Sequence, residues 1–217
     1  EHKSKRTNQP TNLIIQARAG TGKTTTLIEG LKAMRGEETT ITPSEQQEAI
    51  WSELMQSKDA KSVCFVAFNR SIAAELQERV PKGCAAMTMH SLGLRSVTSG
   101  FGRVEIDEDR VPKIIAELCK KSIKQLRQEF PAFLQATTEM VALAKQNLLG
   151  VRNSKRGYLE ENVTTEQLSR LAEHYGVELN GSTDSVFRIV PKVLTRCWNV
   201  SKDQSINYDD MVWLPIA

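Results

Sequence analysis

The chain has 217 residues, of which 40% are hydrophobic and 25% charged, an ordinary composition for a globular protein with one large domain or two small ones. Its formal net charge of +3 permits a nucleic-acid partner without arguing for one. Four cysteines without a Cys-x-x-Cys pair and only three histidines disfavour a zinc site and a disulfide framework. No apolar run approaches the roughly 20 residues of a membrane span and no signal peptide is recognisable, so we expect no membrane partner and a cytoplasmic or, in a eukaryote, nuclear protein.

Residues 17–24, with the sequence ARAGTGKT, are the strongest functional signal in the chain. The apolar run at 12–16 predicts a short buried strand before them, and residues 24–34 predict a helix after them. A strand, a tight loop with Gly-Lys-Thr and a helix, in this order, are typical of a phosphate-binding loop.

The residue types in this loop suit the binding of phosphate groups. Gly20 and Gly22 let the backbone turn with its N–H groups pointing inward, which makes a concave nest for phosphate oxygens. The helix that begins near Lys23 adds the partial positive charge of its N-terminus. We expect Lys23 to reach the β- and γ-phosphates and the Thr24 hydroxyl to bind Mg²⁺, which makes these two the candidate catalytic residues.

Strands and helices alternate in the next part of the chain. The strands are predicted at 62–68 and 84–87, and the helices at 44–57, 72–80 and 90–97. The run at 62–68 is almost unbroken in apolar residues, which is typical of a parallel strand covered on both faces. Short loops between such elements indicate right-handed parallel crossovers, and the class is therefore α/β.

From about residue 103 the pattern changes to successive helices without a strong strand. The predicted helices cover 109–130, 132–148, 164–175 and 183–198, with a polar connection at 150–162. We interpret this region as a helical subdomain inserted into the α/β domain. The predicted organisation is a polar lead-in at 1–11, a first part of the α/β domain at 12–102, the helical insertion at 103–200 and a return to the α/β domain at 201–217.

Two further segments follow predicted strands, at the edge where open α/β sheets bind their ligands. An aromatic ring, an amide and a guanidinium suit single-stranded nucleic acid, since bases stack on the ring and polar groups hold phosphates. Short hydroxyl and imidazole groups after the third strand offer donors to the same backbone. The candidate DNA-binding residues are Phe68, Asn69, Arg70, Thr88, His90 and Ser91.

The segments ARAGTGKT, VAFNRSIAAEL and MTMHSLGLR resemble motifs I, Ia and Ib of UvrD/Rep-type DNA helicases of superfamily 1A. Ala17 stands where the general phosphate-loop pattern has glycine, and this form of the loop is found in motif I of superfamily 1 helicases. The Ala-Phe-Asn-Arg form of motif Ia is closest to the branch with F-box helicases and phage relatives. Residues 207–211 resemble the Asp-rich turn and helix that precede motif II, and 103–200 falls where the family inserts its 1B subdomain.

This resemblance implies a RecA-like P-loop fold with an inserted all-helical subdomain, and ATP-driven translocation along single-stranded DNA with unwinding of partially duplex DNA. It also implies the cofactors ATP and Mg²⁺, and the remaining helicase domains (the completion of 1A, 2A and 2B) as partners in the full-length chain. The nucleotide-binding residues would be Ala17, Arg18, Ala19, Gly20, Thr21, Gly22, Lys23, Thr24 and Thr25, with Thr24 on the metal. Phe68, Asn69, Thr88 and His90 would line the DNA track.

The sequence departs from the family in ways that bear on activity. Motif II, a hydrophobic strand ending in Asp-Glu, is not recognised, and the chain stops at Ala217 shortly before it should arrive. The upstream glutamine motif is not recognised in residues 1–11, and the similar Glu45-Gln46-Gln47 lies after motif I. We therefore expect an N-terminal piece of a helicase that binds nucleotide weakly and hydrolyses it negligibly by itself.

Several of these residues have a plainer interpretation. Phe68 could be the last core residue of its strand, and His90 a satisfied residue at a helix start. The two acids Asp209 and Asp210 are expected to start a helix rather than to bind metal. The basic residues of 109–130 are more typical of a solvated helix face than of a duplex-binding surface. The three tryptophans are expected to be packing residues. These basic residues and tryptophans are Lys113, Lys120, Lys124 and Arg127, and Trp51, Trp198 and Trp213.

Two other functions remain open at this point. The chain could be a nucleotide-dependent DNA-binding module that never hydrolyses. It could also be a P-loop kinase of small molecules, although such an enzyme has no need of Ala-Phe-Asn-Arg and Thr-x-His-Ser at successive strand ends. Binding of single-stranded DNA separates the kinase from the other two.

Overall fold

The computed structural model describes residues 14–55, 62–150 and 163–216. The chain divides into two compact units, Glu1–Met87 and Thr88–Ala217. The predictions for 1–13 and for 151–162 lie outside the described residues. Within the described ranges, no helix is long and apolar enough to cross a membrane.

The first unit alternates helices and strands, as the sequence predicts. Its elements are α1 (Lys23–Met34), α2 (Glu45–Met55), β1 (Cys64–Ala67), α3 (Arg70–Arg79) and β2 (Ala85–Thr88), whose last residue belongs to the second unit. β1 and β2 form a two-stranded sheet, and the Ala85 N–H donates to the Val63 carbonyl just before β1 at 3.2 Å.

The sheet is smaller and less covered than the sequence predicts. Residues 14–16 form no strand, and Ile14 is 83% exposed, so the prediction of a buried first strand is wrong for these residues. The physical reason is that no described strand pairs with them, and an unpaired segment gains neither ladder hydrogen bonds nor cover. β1 is not buried on both faces either, because Ala67 packs into a small core with Ile28, Ala73 and Leu76 while Val66 stays exposed.

Helix α2 packs against α1 through one aromatic side chain. The buried Trp51 donates its indole N–H to the Thr26 carbonyl at 2.9 Å. Gly30 makes this approach possible, since a Cβ there would lie 2.5 Å from the Trp51 ring. The prediction that Trp51 is a packing residue is confirmed.

The second unit is mostly helical. Its elements are α4 (Met89–Phe101), β3 (Glu105–Ile106), α5 (Arg110–Cys119), α6 (Ile123–Glu129), α7 (Pro131–Gln146), α8 (Thr165–Tyr175), α9 (Thr183–Cys197), α10 (Val200–Asp203), β4 (Ser205–Ile206) and α11 (Tyr208–Trp213). α7, α8 and α9 lie where the apolar periodicity predicts them. Thr164 caps α8 by accepting from the Gln167 N–H, and Gly176 ends it in the left-handed conformation, as predicted.

The predicted helix at 109–130 is two helices. Lys120 adopts a left-handed conformation with φ of 53° and ends α5. Ser122 and Gln125 then form a capping box that starts α6. The stop has a physical cause, because the capping box satisfies backbone groups that a continuous helix would bond internally.

A short parallel ladder joins the two ends of the helical region. Glu105 pairs with Ser205 and Ile106 pairs with Ile206. Neither two-residue strand was predicted. The chain thus leaves β3, forms helices α5 to α10 and returns beside its starting point at β4.

Candidate nucleotide site and nucleic-acid interface

The predicted phosphate loop, residues 17–24, is exposed along its whole length and leads directly into α1. Gly20 and Gly22 have φ values of 77° and 78°, a region that side chains rarely enter, and a Cβ at either would meet nothing within 4 Å. The glycines are therefore required by backbone conformation and not by crowding. No side chain caps the start of α1, so its first N–H groups face the loop uncapped.

Lys23 folds back over the loop. Its Nζ donates to the Ala17 carbonyl at 2.9 Å and to the Arg18 carbonyl at 2.7 Å. The Thr21 hydroxyl donates to the same Arg18 carbonyl at 2.8 Å. The ammonium thus lies at the loop, where an anion would meet a positive charge beside backbone N–H groups.

The threonines after Lys23 have different surroundings. Thr24 is exposed in the first turn of α1. The Thr25 hydroxyl accepts from Arg79 Nη2 on α3 at 3.2 Å, and the buried Thr26 hydroxyl accepts from Gln47 Nε2 at 2.9 Å. Gln47 also accepts from the Ser44 N–H, so its side-chain amide is used in packing α2. Arg79 was missed, because only the fold brings it to Thr25.

The residues of the second motif lie where β1 turns into α3. Phe68 is 97% exposed, which rules out its interpretation as a core residue. Asn69 caps α3 by accepting the Ile72 N–H at 2.9 Å. Arg70 is exposed at the first position of the helix. The turn therefore exposes both the Phe68 ring and the Arg70 side chain, while the side-chain oxygen of Asn69 is occupied by the cap.

The residues of the third motif start α4 in the second unit. The Thr88 hydroxyl is buried, accepts from the Ser91 N–H at 3.2 Å and lies 2.9 Å from the Ser91 hydroxyl. His90 is exposed and meets the Tyr208 ring edge to face, with ring centres 5.9 Å apart. Thr88 is thus primarily a helix cap, whereas His90 and Ser91 are accessible to a ligand.

The basic residues of 109–130 do not lie on one continuous helix. Because α5 ends at Lys120, they lie on two helices. Lys113 pairs with Asp107 at 2.6 Å and Arg127 with Asp109 at 2.9 Å. The hydrogen bond to Asp107 raises the pKa of Lys113. These contacts agree with a solvated, partly neutralised helix face.

Asp210 is the centre of a buried charge cluster that the sequence did not reveal. Its Oδ2 accepts from Arg110 Nη1 at 2.6 Å, and its Oδ1 lies 2.8 Å from Lys145 Nζ. All three side chains are at most 1% exposed. Asp210 also accepts the Asn207 N–H, while Asn207 caps α11 by accepting the Asp210 N–H. The prediction that the acids at 209–210 start a helix is confirmed for Asp210.

Two acidic residues, Asp107 and Glu108, follow the short strand β3. β3 itself ends at Ile106 and is not the hydrophobic strand ending in Asp-Glu that is typical of motif II. This strand is exposed and two residues long, and Asp107 accepts from Lys113 Nζ and from the Asp109 N–H. The Asp107 carboxylate therefore closes a local turn just before α5. Among the described residues, no group of three or more His, Cys, Asp or Glu side chains could hold a metal ion.

One comparison with known proteins gives a match. The family model of the UvrD/REP helicase N-terminal domain matches residues 1–217. No curated protein and no solved structure matched the chain. The family match covers the loop at 17–24, the turn at 68–70 and the start of α4 together.

Proposed function

The chain belongs to the UvrD/REP helicase N-terminal domain family, and on that premise we propose that it binds Mg-ATP and single-stranded DNA as the N-terminal part of an ATP-dependent DNA helicase. The observation that carries this proposal is the loop before α1, with two glycines in left-handed conformation, uncapped helix N–H groups and a lysine ammonium at the loop carbonyls. Family membership favours this function over a small-molecule kinase.

The residues present fit a magnesium-bound nucleotide. Backbone N–H groups of the loop and the start of α1 would hold the phosphates, with Lys23 supplying positive charge to the β- and γ-phosphates. The exposed Thr24 hydroxyl would bind Mg²⁺, which supplies charge neutralisation to the transferring phosphate. Arg79 holds Thr25 at the rim of this loop.

For DNA, the proposal assigns stacking to Phe68 and backbone contacts to Arg70, His90 and Ser91. A ring that is almost wholly exposed costs free energy in water unless a partner covers it, and a nucleobase is a suitable cover. The hydroxyl of Ser91 and the imidazole of His90 can donate to phosphates without leaving the helix start that Thr88 holds.

The proposed organisation keeps 103–200 as an inserted helical subdomain within the P-loop domain. The pairing of β3 with β4 supports it, since a segment that leaves and returns at neighbouring strands can be inserted without separating the elements before and after it. The family's motif II would follow α11 in this arrangement.

Loss of the Lys23 ammonium tests the nucleotide site. We expect Lys23→Ala to weaken Mg-dependent binding of a fluorescent ATP analogue by about 1.5–3 kcal/mol, because a charge-assisted contact to phosphate is lost. Lys82→Ala removes an exposed lysine of the same unit and should bind as the wild type does. Equal affinity of the wild type and Lys23→Ala would contradict the proposed site.

The same preparations test hydrolysis. We expect phosphate release by the chain alone to be negligible with and without DNA, since the Asp-Glu pair after β3 follows an exposed strand of two residues and Asp107 is already paired with Lys113. ATP turnover at a rate typical of a complete helicase would contradict this part of the proposal.

A further inference from the structure

A groove of about 550 Å³ lies in the second unit, apart from the nucleotide and DNA residues. It runs between α9 and the segment from α5 to the start of α7. The floor of the groove is apolar. Two serines also line the groove, one on α9 and one at the N-cap of that helix. The apolar and serine residues that line it are Leu118, Cys119, Leu126, Phe130, Phe133, Ile189, Ser182 and Ser185.

All of the charged side chains that line this α9 groove are positive. Lys121, Arg188 and Lys192 contribute to its wall, and no carboxylate does. Arg188 and Lys192 are exposed, lie one helical turn apart on α9 and form no ion pair with another described residue. At one end of this wall, Lys121 lies 3.4 Å from Glu129, and Asp184 precedes Arg188 by one helical turn on α9.

We propose that the α9 groove binds an acidic segment of a partner protein that inserts one large apolar side chain. The apolar floor would cover the inserted side chain, and the carboxylates on either side of it would meet Arg188 and Lys192. Charge complementarity carries this choice of partner, because an apolar groove with an entirely cationic rim repels basic segments and leaves neutral ones without ionic partners.

Single-stranded nucleic acid fits the groove less well. Lys121 Nζ lies over the Phe130 ring, 4.8 Å from its centre, so that face is not open to a base. Phe133 is half-buried and Leu126 is fully buried in the floor. Bases of a bound strand need a row of open aromatic faces, whereas a single side chain needs one bounded apolar recess.

Peptide binding to the full chain tests this proposal. The probe is a short fluorescein-labelled peptide of aspartates and glutamates with one central phenylalanine, followed by fluorescence anisotropy at two salt concentrations. Comparison probes are the same peptide with alanine for phenylalanine, the same peptide with amides for all carboxylates, and a single-stranded oligonucleotide of equal charge.

The test variant is the double change Arg188→Glu with Lys192→Glu. Its matched control is Lys124→Glu with Arg170→Glu, which changes the net charge equally at exposed positions of α6 and α8 outside the groove. Thermal unfolding followed by circular dichroism checks that both variants keep the wild-type fold.

We expect the acidic peptide to bind the wild type, and the test variant to bind it about tenfold more weakly because two exposed ionic contacts are reversed. The control variant should bind as the wild type does, and loss of the phenylalanine or of the carboxylates should weaken binding. Absence of peptide binding, or equal weakening by both variants, overturns the proposal. So does an oligonucleotide that binds more tightly than the peptide and is weakened by the test variant alone.

Discussion

The two units of this chain differ in how much apolar surface they bury and in what they expose. Among the described residues, the second unit has a cluster of 25 buried hydrophobic residues in mutual contact, whereas the corresponding cluster of the first unit has four. The first unit instead exposes the loop at 17–24 and the ring of Phe68. Stability is therefore concentrated in the helical unit, and the residues proposed for nucleotide and DNA binding contribute little to it.

This difference between the units predicts which substitutions change stability and which change binding. Changes at buried positions of the second unit should lower the free energy of unfolding by several kcal/mol, because buried groups lose packing and partners together. Changes at exposed motif residues of the first unit should leave the free energy of unfolding almost unchanged and alter binding instead.

The largest effect is expected for Asp210→Ala. It removes the carboxylate that Arg110 and Lys145 share, which leaves the buried Lys145 without its ion pair and Arg110 with only the longer contact of 3.8 Å to Asp203, and costs about 3–5 kcal/mol. The change in the free energy of unfolding is measured by urea unfolding, followed by tryptophan fluorescence in a Trp51→Phe background. The fluorescence then comes from Trp198 and Trp213 of the second unit. Asp209→Ala is the control, because Asp209 accepts only a long hydrogen bond of 3.4 Å from Gln146. A cost below about 1 kcal/mol for Asp210→Ala would refute the role of the cluster.

A smaller effect is expected where α4 crosses α11. A Cβ at Gly93 would lie 1.8 Å from the Met211 carbonyl oxygen, so Gly93→Ala must push the helices apart and should cost about 1–3 kcal/mol. On the same helix, a Cβ at Gly100 would meet nothing within 4 Å, and Gly100→Ala should stabilise the chain by about 0.5–1 kcal/mol. Both are measured by the same urea unfolding. Equal effects at the two glycines would contradict close packing at Gly93.

The pH dependence of the first unit should come in part from Glu29. Burial raises its pKa, but hydrogen bonds from Lys32 and from the Thr40 N–H outweigh this, so its pKa lies below the ordinary value of 4.5. A lowered pKa means that Glu29 stabilises the fold above pH 4.5 and that this stabilisation is lost as the pH falls through the lower, folded value.

Glu29→Gln should therefore cost about 1–2 kcal/mol at pH 7 and much less at a pH below the folded pKa. Hydrogen exchange of α1 and of the turn that contains Thr40 measures the local effect at both pH values. Glu75→Gln is the control, since its partner Arg79 and its own carboxylate are both exposed. A loss for Glu29→Gln that is the same at both pH values would show that its charge is not responsible.

Local signals made much of the fold predictable. Gly20 and Gly22 and the helix that follows them were recognised because one short stretch contains all of the groups involved. The same holds for the cap at Thr164 and the stop at Gly176. The break at Lys120 was missed although Ser122 and Gln125 were a readable capping signal, because the apolar spacing at 109–130 was given more weight.

The rest depends on partners far apart in the chain. The pairing of Glu105 with Ser205 joins strands of two residues, which are too short for any periodicity. The contact of Arg110 with Asp210 spans 100 residues. Before the fold is known, nothing distinguishes Arg110 from the other basic residues of its helix. The exposure of Phe68 could not be predicted from the sequence either, because a residue at the end of a strand can lie in the core or on the surface. The position of the neighbouring elements determines which of the two applies.

Single-stranded DNA binding by the wild type and by Phe68→Ala tests the central claim most directly, namely that the exposed motif residues of the first unit bind ligands without supporting the fold. Fluorescence anisotropy is measured with a labelled oligonucleotide, with and without a non-hydrolysable Mg-ATP analogue. Phe101→Ala, a change of another exposed phenylalanine at the end of α4, is the control.

We predict salt-dependent binding that Phe68→Ala weakens by about 1–3 kcal/mol while the free energy of unfolding changes by less than about 0.5 kcal/mol. Phe101→Ala should bind as the wild type does. Binding by Phe68→Ala at the wild-type affinity, or a loss of binding that is matched by a loss of stability, would contradict the claim.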